Sequence, residues 1–458
     1  MSLAIATESV AESEEEPLVP PSATDASITA LIADPLLVRG AGRSWWIATA
    51  IAAALTLVTI IAIWRLLAEG IGLLGNNTTV VWGVPIANYV WWIGIGNAGT
   101  LISALLLLTR QRWRASINRF AEGMTLFAVS IAGLFPILHL GRPEYFYWLA
   151  PYPNTMTLWP QWRSALVWDF WAIVSYLLFS IVFFYVGLVP DLATLRDRSK
   201  SLRTRRIYGA FALGWRGSAR QWRLHQALYS TMAALAVPLV CSVHSIVGLD
   251  FAASLMPGWQ ETIFPPYFVV GAMFSGFAMV VLLAAAMRWG FGFQQIVTVR
   301  HFEAMALIIL ASSLIMTLSY STEWFSGWYS GKAAERGEIA FAFTGSYAPL
   351  FWAQLFCNCA APQILCWPRM RRSLTALVLV SLAILVGMWL ERILIIWNTL
   401  SHGFLPSMRH LFLPTLEDGL LVIAPLGFFA MLFLIFVRVL PAISMHEMRQ
   451  LLHERTRP

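Results

Sequence analysis

Long apolar stretches place the strongest limit on what this chain can fold into. About 20 apolar residues cross the roughly 30 Å hydrocarbon core of a bilayer. No water is present there to satisfy backbone polar groups, so each crossing segment must be helical. We therefore predict an all-α integral membrane protein with ten transmembrane helices. The predicted spans are 44–68, 83–109, 119–139, 164–188, 224–248, 266–287, 302–322, 346–367, 373–397 and 418–440.

The composition supports this class and excludes several others. Hydrophobic residues make up 58% of the 458 positions and charged residues 12%, whereas soluble domains contain about 25% charged residues. A soluble enzyme, a disordered chain and a nucleic-acid-binding domain are excluded on this basis. We expect a lipid bilayer around the chain and no nucleic-acid partner.

The distribution of Lys and Arg predicts the orientation of the chain. With ten spans, both termini lie on the same side of the membrane. Of the 31 Lys and Arg residues, 24 lie in the tails and loops on that side and 5 in the opposite loops. Because cytoplasmic loops carry the excess of basic residues, we expect both termini in the cytoplasm. The opposite side is called the outer side below.

The order of the spans also predicts a division of the chain. The polar start of the chain, with an acidic run at 12–16, favours a mobile arm to about residue 30 and no cleavable signal peptide. The predicted segments are a cytoplasmic N-terminal arm (1–43), a first four-helix bundle (44–188), a basic cytoplasmic loop (189–223), a second four-helix bundle (224–367), a final helix pair (368–440) and a cytoplasmic C-terminal tail (441–458).

Ionisable residues inside the spans are candidates for function because each is costly in lipid. His139 ends the third span and Asp169 lies near the start of the fourth. These spans are consecutive and antiparallel, so their outer ends can adjoin. Quinol oxidation needs an acceptor for each hydroxyl proton, and a histidine–carboxylate pair can supply it. A structural hydrogen bond that closes a helix pair is the alternative interpretation.

Other residues beside this pair would complete a quinol site at the outer end of the second, third and fourth spans. Arg142 could tune the carboxylate or pair with a docked partner, and Tyr145 and Tyr152 would cover the headgroup and exclude water.

A second polar set lies at the two ends of the fifth and seventh spans. His244, Asp250 and Glu323 lie toward the outer side, and His301 and Glu303 toward the cytoplasm. They resemble the mouths of two half-channels for protons, although helix capping and hydroxyl packing explain them as well.

Glu391 and Arg392 are more readily explained as structural ion-pair residues. Neighbours in a helix point about 100° apart, so we expect each to pair with a different helix.

The sequence predicts no haem or metal site. Cys357 and Cys359 have neither a second cysteine pair nor a histidine partner nearby, and they fit packing roles. A transmembrane haem wire needs two histidine pairs on facing helices, and those pairs are missing.

Several short motifs carry a resemblance to a known family. They are Trp82-Gly83-Val84-Pro85, His139-Leu140-Gly141-Arg142-Pro143, Arg163-Ser164-Ala165-Leu166-Val167-Trp168-Asp169, Val243-His244-Ser245-Ile246-Val247-Gly248-Leu249-Asp250-Phe251 and Trp389-Leu390-Glu391-Arg392. Because these motifs occur together and in this order, the chain resembles the NrfD-like family, also called the polysulfide reductase membrane-subunit family. Within it, the motifs are most similar to the C subunits of bacterial alternative complex III.

The resemblance implies a multi-pass subunit of the bacterial inner (cytoplasmic) membrane that binds and oxidises quinol, with menaquinol the expected substrate, and has no redox cofactor of its own. It also implies an electron-transport complex with an external iron–sulfur subunit, multihaem cytochrome c subunits and a homologous membrane sister subunit. Proton translocation can accompany such chemistry. By position, His139 and Asp169 match the quinol-site pair of this family.

Two alternatives belong to other classes. The first is a sister F-type or other NrfD-like anchor subunit without a quinol site. The second is a secondary transporter built from two parallel four-helix halves. Against the transporter, we find no paired Gly- or Pro-broken helices at the membrane centre in both halves.

Overall fold

The computed structural model describes residues 18–38, 40–139, 143–149 and 162–455, and the regular structure within these ranges is helical. The α-helices are α1 (Asp25–Leu37), α2 (Arg43–Glu69), α3 (Val84–Leu108), α4 (Asn118–Ala132), α5 (Phe135–His139), α6 (Ala165–Arg198), α7 (Leu202–Phe211), α8 (Ala219–Ala252), α9 (Phe264–Gly290), α10 (Val299–Tyr329), α11 (Ala333–Thr344), α12 (Ala348–Leu355), α13 (Pro368–Arg371), α14 (Leu374–Ser401), α15 (Leu416–Val439) and α16 (Met445–Arg455).

Among the described residues, nine helical segments are long and apolar enough to cross a membrane. They are α2, α3, α4 with α5, α6, α8, α9, α10, α14 and α15. Each coincides with one of the predicted spans, which supports a multi-pass membrane protein. The division into two four-helix bundles and a final pair stays a prediction.

The predicted span 346–367 is not one continuous α-helix, so this prediction was wrong in form. It consists of α12, a π-helical turn (Phe356–Ala360) and a 3₁₀ segment (Ala361–Cys366). Pro362 lacks the N–H that would bond to the carbonyl of Asn358 in an α-helix. The Ser313 hydroxyl of α10 donates to that carbonyl instead, at 2.7 Å. The break is therefore satisfied by a neighbouring helix, as lipid requires.

The third span is also interrupted, just before its outer end. Helix α4 ends at Ala132, and α5 begins at Phe135 after a short turn. Pro136 lies in the first turn of α5, where its missing N–H costs no hydrogen bond. Helices are thus broken in both halves of the chain, but the breaks fall in the third and eighth spans and do not form a pair at corresponding positions.

Helix α3 lies at the centre of the fold. In its most apolar 18-residue stretch, 83% of the residues are buried, compared with 22% in the corresponding stretch of α2. It packs against α4, α8 and α9, whereas α2 packs mainly on α15. A Cβ atom added at Gly99 would lie 2.0 Å from the Ala121 carbonyl oxygen. This glycine therefore lets the backbones of α3 and α4 approach closely, as small residues do in membrane helices.

The first and the last described helices, α1 and α16, pack against each other. Helix α1 packs on α16, where Arg449 donates to the Thr29 hydroxyl and His453 lies 3.1 Å from Asp25. Ile28 and Ile32 of α1 are buried. Residues 25–30 therefore form part of a docked helix, and our expectation of a mobile arm there was wrong.

Candidate functional site

The outer ends of α3, α5 and α6 bring three polar side chains together. The Tyr89 hydroxyl of α3 donates a hydrogen bond to Asp169 Oδ2 of α6. The rings of Tyr89 and His139 have centroids 6.3 Å apart, with planes inclined at 57°. His139 is the last residue of α5. Tyr89 thus stands between the histidine and the carboxylate that the sequence placed at adjoining helix ends.

Local sequence features position each of these groups. Helix α3 begins after Gly83 and carries Pro85 in its first turn, which fits that position because proline needs no backbone donor there. The break before α5 separates His139 from the straight course of α4. Asp169 lies in the second turn of α6, which begins at Ala165.

A second carboxylate, Asp250 near the end of α8, belongs to the same cluster. Helix α8 packs against both α3 and α6, and Asp250 lies within electrostatic range of Tyr89 and Asp169. Among the described residues, neither Asp169 Oδ1 nor Asp250 Oδ1 has a hydrogen-bond partner, although both atoms are buried. Buried acceptors without donors are costly. The cluster is therefore suited to a ligand that brings hydroxyl groups.

The cluster can hold and move protons. It combines an imidazole, a phenol and two carboxyl groups in an apolar setting, and a neutral imidazole or a carboxylate can accept a proton from a bound hydroxyl. The described residues include no group of three or more His, Cys, Asp or Glu side chains that could hold a metal ion.

His244 lies deeper than this cluster. It is six residues before Asp250 on α8, which corresponds to about 9 Å along the helix. Its Nδ1 atom pairs with the Asn97 amide of α3, and its side chain is almost fully buried. His244 and Asp250 thus lie between one and two turns apart on α8, and their role at one outer mouth of a proton path stays a prediction.

The remaining members of the predicted proton path also lie apart. Glu323 is near the outer end of α10, while His301 and Glu303 are at its other end. The His301 ring closes the capping box at the start of α10 with Thr298. Glu303 forms an ion pair with Arg372 at 3.1 Å. The inner pair thus has structural contacts, and a path between the two ends stays a prediction.

Glu391 and Arg392 contact each other as well as other helices. Arg392 Nη1 lies 3.0 Å from Glu391 Oε1, and the guanidinium stacks 3.9 Å from the ring centre of Phe268 in α9. The Tyr320 hydroxyl of α10 donates to Glu391 Oε2. We expected separate partners for the two residues, and the structure shows both separate partners and a mutual ion pair.

Three predicted neighbours of the site have different outcomes. Arg142 and Tyr152 lie outside the described residues. Tyr145 is 38% exposed, and its ring lies against that of Trp148 with centroids 4.8 Å apart and planes inclined at 40°. It lies on a 3₁₀ segment (Pro143–Leu149) that packs against α5 and α6. A cover over the headgroup stays a prediction.

Sequence reasoning missed Tyr89, Asn97 and a buried inner network. Glu122 of α4 is 1% exposed and accepts hydrogen bonds from Ser103 at 2.6 Å and Tyr229 at 2.7 Å. It also lies 3.5 Å from Arg119. Polar residues within otherwise apolar α3 were the available signal, since each must face a partner inside the fold.

Comparisons with known proteins agree with this architecture. A family model described as Polysulphide reductase, NrfD matches residues 72–401. The chain belongs to the NrfD family. The match runs from just before α3 to the end of α14 and so includes Tyr89, His139, Asp169 and Asp250.

Two curated relatives each match about half of the chain at low sequence identity. This NrfD-family chain is 24% identical over 233 residues to a candidate membrane subunit of a dimethyl sulfoxide reductase from Halobacterium salinarum, covering 50% of this chain and 49% of the relative. It is 23% identical over 238 residues to a subunit of the selenate reductase from Mesobacillus selenatarsenatis, covering 50% and 54%. The alignments thus span about half the length of these relatives.

Proposed function

We propose that this NrfD-family chain is the quinol-binding and quinol-oxidising membrane subunit of a multi-subunit oxidoreductase. The contact of Tyr89 with Asp169 beside His139, at the predicted outer end of the helices, carries the proposal. The site has acidic and basic groups for two protons and buried carboxylate oxygens that lack donors among the described residues.

In this mechanism the headgroup binds between α3, α5 and α6. One quinol hydroxyl donates to His139 and the other to the free Oδ1 atom of Asp169, while Tyr89 holds the opposite carboxylate oxygen. Oxidation releases two electrons and two protons. His139 accepts one proton and Asp169 the other, and both electrons leave to an external acceptor. We propose that this proton then passes to Asp250 near the end of α8, a helix that packs against α6.

The partners follow from the family and from the position of the site. The curated relatives are named as parts of reductases, one of them as a membrane part, which supports membership of a complex. We propose an external iron–sulfur subunit as the electron acceptor, followed by multihaem cytochrome c subunits, and a homologous membrane sister subunit, as in alternative complex III. Menaquinol is the proposed substrate.

We also propose ten crossings of the bacterial inner membrane with both termini in the cytoplasm. Nine helical segments and an uneven charge distribution support this topology. The contact of α1 with α16 adds to it, because helices before the first span and after the last can meet only if the number of crossings is even. The broken segment 346–367 would be the further crossing.

Substitution of the two proton acceptors tests the proposed reaction. His139→Gln and Asp169→Asn keep the size of each side chain and remove its acid–base function. We expect each variant to assemble normally and to lose about 10²–10⁴-fold of quinol oxidation, the usual contribution of a positioned acid–base group. Glu144→Gln, an exposed carboxyl group on the same side, is the matched control.

Two measurements make the result decisive. Native gel electrophoresis reports assembly, and reduction of the downstream cytochromes by a small chemical reductant reports an intact electron acceptor. Turnover of assembled His139→Gln and Asp169→Asn complexes within a few-fold of wild type would assign these residues a structural role, as expected for an anchor subunit or a transporter.

A further inference from the structure

A second polar site, distinct from the quinol cluster, lies where α10, α11 and α14 meet the loop 253–263. A cavity of about 60 Å³ opens there, which is room for a few water molecules. Five carboxyl groups line it. Four form an acidic cluster, namely those of Glu261 in the loop, Glu323 on α10, and Glu335 and Glu338 on α11, and the fifth is that of Glu391 on α14, which pairs with Arg392.

The backbone fixes these carboxyl groups around the cavity. The Gly258 N–H donates to Glu335 Oε2 at 2.9 Å. Gly258 has a φ angle of +77°, and a Cβ atom there would lie 3.1 Å from Cδ of Glu338. A glycine is needed at this position both for its conformation and for the space that the carboxyl group occupies. The loop and α11 are thus held together at the cavity.

An independent observation points to an occupant that donates hydrogen bonds. Asn398 of α14 lines the same cavity and is 4% exposed. Its Oδ1 atom has no donor among the described residues. Ionised carboxylates are also acceptors only. The Asn398 oxygen and the carboxylates are therefore acceptors in need of donors, and a buried acceptor without a partner in the described residues calls for a group that supplies a hydrogen.

The electrostatics favour protons as the missing donors. None of the four carboxyl groups forms an ion pair with Lys or Arg within the described parts of the chain. Burial and the neighbouring carboxylates of Glu335 and Glu261 raise the pKa of Glu338 to about 8. Burial and Glu335 also raise the pKa of Glu261, while Lys332 lowers it. Neighbouring carboxylates cannot all ionise at low cost.

The cavity reaches a buried acid at its inner end. Glu391 of α14 lines it and accepts from the Tyr320 hydroxyl. The Asn358 amide lies 3.4 Å from the same carboxylate oxygen. Asn358 belongs to the π-helical turn that interrupts 346–367. The broken helix therefore places the Asn358 side chain beside Glu391, where the cavity with its acidic side chains meets the interior of the helix bundle.

We propose that this cavity is a proton-binding site, in which Glu323, Glu338 and water hold at least one exchangeable proton at neutral pH, with Glu391 as the inner partner. Binding converts one carboxylate and a hydronium ion to a carboxylic acid and water, and it requires no co-reactant. The site does not depend on quinol oxidation. The charged and titratable groups that face it are Tyr267, Glu261, Tyr320, Glu323, Lys332, Glu335, Glu338, Glu391, Arg392 and His402.

Infrared spectroscopy of the full-length chain in its purified membrane complex tests this directly. The carbonyl stretch of a protonated carboxyl group is separate from that of a carboxylate and shifts in D₂O. We expect a protonated band at pH 7 that disappears at alkaline pH and shifts rapidly in D₂O, because the cavity is open to water. Glu338→Gln and Glu323→Gln should each weaken it, and Glu144→Gln should leave it unchanged.

The double variant Glu323→Gln/Glu338→Gln sets the background for this measurement. A wild-type spectrum that matches the double variant at pH 7 would overturn the proposal. A band that responds to the Na⁺ or K⁺ concentration and not to pH would also overturn it, in favour of a metal-cation site. If one single variant fails to assemble, the other gives the same comparison, since both residues line the cavity.

Discussion

The Tyr89 hydroxyl offers the sharpest test of the proposed quinol site. Tyr89→Phe removes one oxygen atom and keeps the ring that lies beside His139. The change leaves the buried Asp169 side chain without its hydrogen-bond donor among the described residues. A hydrogen bond to a charged group contributes about 1.5–3 kcal/mol. If this interaction orients Asp169 for the reaction, its loss lowers kcat/KM by roughly 10- to 150-fold.

Tyr176→Phe is the matched control because it removes the same atom from another buried tyrosine. The Tyr176 hydroxyl donates to the Gly96 carbonyl at 3.0 Å, and Thr125 donates to the same carbonyl at 2.7 Å. The carbonyl therefore keeps a partner after the substitution. We expect a loss of about 0.5–1.5 kcal/mol in stability at most, with turnover per assembled complex within about two-fold of wild type.

The assay is steady-state oxidation of a menaquinol analogue by the purified complex, with kcat and KM determined separately. Because Asp169 acts on the reacting proton, the effect should fall mainly on kcat. An equal loss in Tyr89→Phe and Tyr176→Phe would show that a buried hydroxyl in general matters and that the Asp169 contact does not. Full activity of assembled Tyr89→Phe would remove Tyr89 from the mechanism.

Three further outcomes follow from other parts of the fold. Gly387→Ala places a Cβ atom 2.2 Å from Asn358 Oδ1 and should destabilise the fold by about 1–3 kcal/mol, which lowers the melting temperature of the complex. Gly419→Ala is the control, because no atom lies within 4 Å of the added Cβ and the melting temperature should not fall. The pKa of Glu338 is about 8 in the folded chain and 4.5 ordinarily, so the protonated side chain contributes most to stability below pH 4.5 and this contribution is lost as the pH rises to about 8. The melting temperature should therefore fall over this pH range, and Glu338→Gln should make the fall smaller. A C-terminal reporter should behave as cytoplasmic and one inserted in 140–163 as external, and the reverse result would contradict the charge-based orientation.

The sequence predicted the helices well because composition alone decides whether a segment can lie in lipid. Nine of the ten predicted spans correspond to long apolar helices. The form of 346–367 could not be predicted from hydropathy, which does not report the backbone hydrogen bonds. Pro362 was a local signal, but its effect depends on Ser313 of another helix, which replaces the lost donor.

The candidate site was predictable only for residues on consecutive spans, because consecutive antiparallel helices must have adjoining ends. His139 and Asp169 lie at the adjoining ends of consecutive spans, and the structure brings both to Tyr89. Tyr89 and Asp250 come from helices whose facing sides depend on tertiary packing. Hydropathy and spacing therefore could not show that the neighbour of Asp169 on α8 is Asp250 and that His244 lies elsewhere.

The partners of the buried acids differ between the two ends of the helix bundle. At the inner end, Glu122 and Asp191 share Arg119, at 3.5 and 3.3 Å. An arginine stays charged at any accessible pH, so removing its carboxylate partners would leave a buried, unpaired charge and cost several kcal/mol. At the outer end, Glu391 forms an ion pair with Arg392, whereas Asp169 is hydrogen-bonded to a tyrosine and Glu338 has no cationic partner among the described residues. Carboxyl groups of this kind can change protonation without breaking an ion pair. The inner acids therefore have partners that suit a structural role, and the acids without a cationic partner at the outer ends are where we propose proton chemistry, in the proposed quinol site and in the cavity.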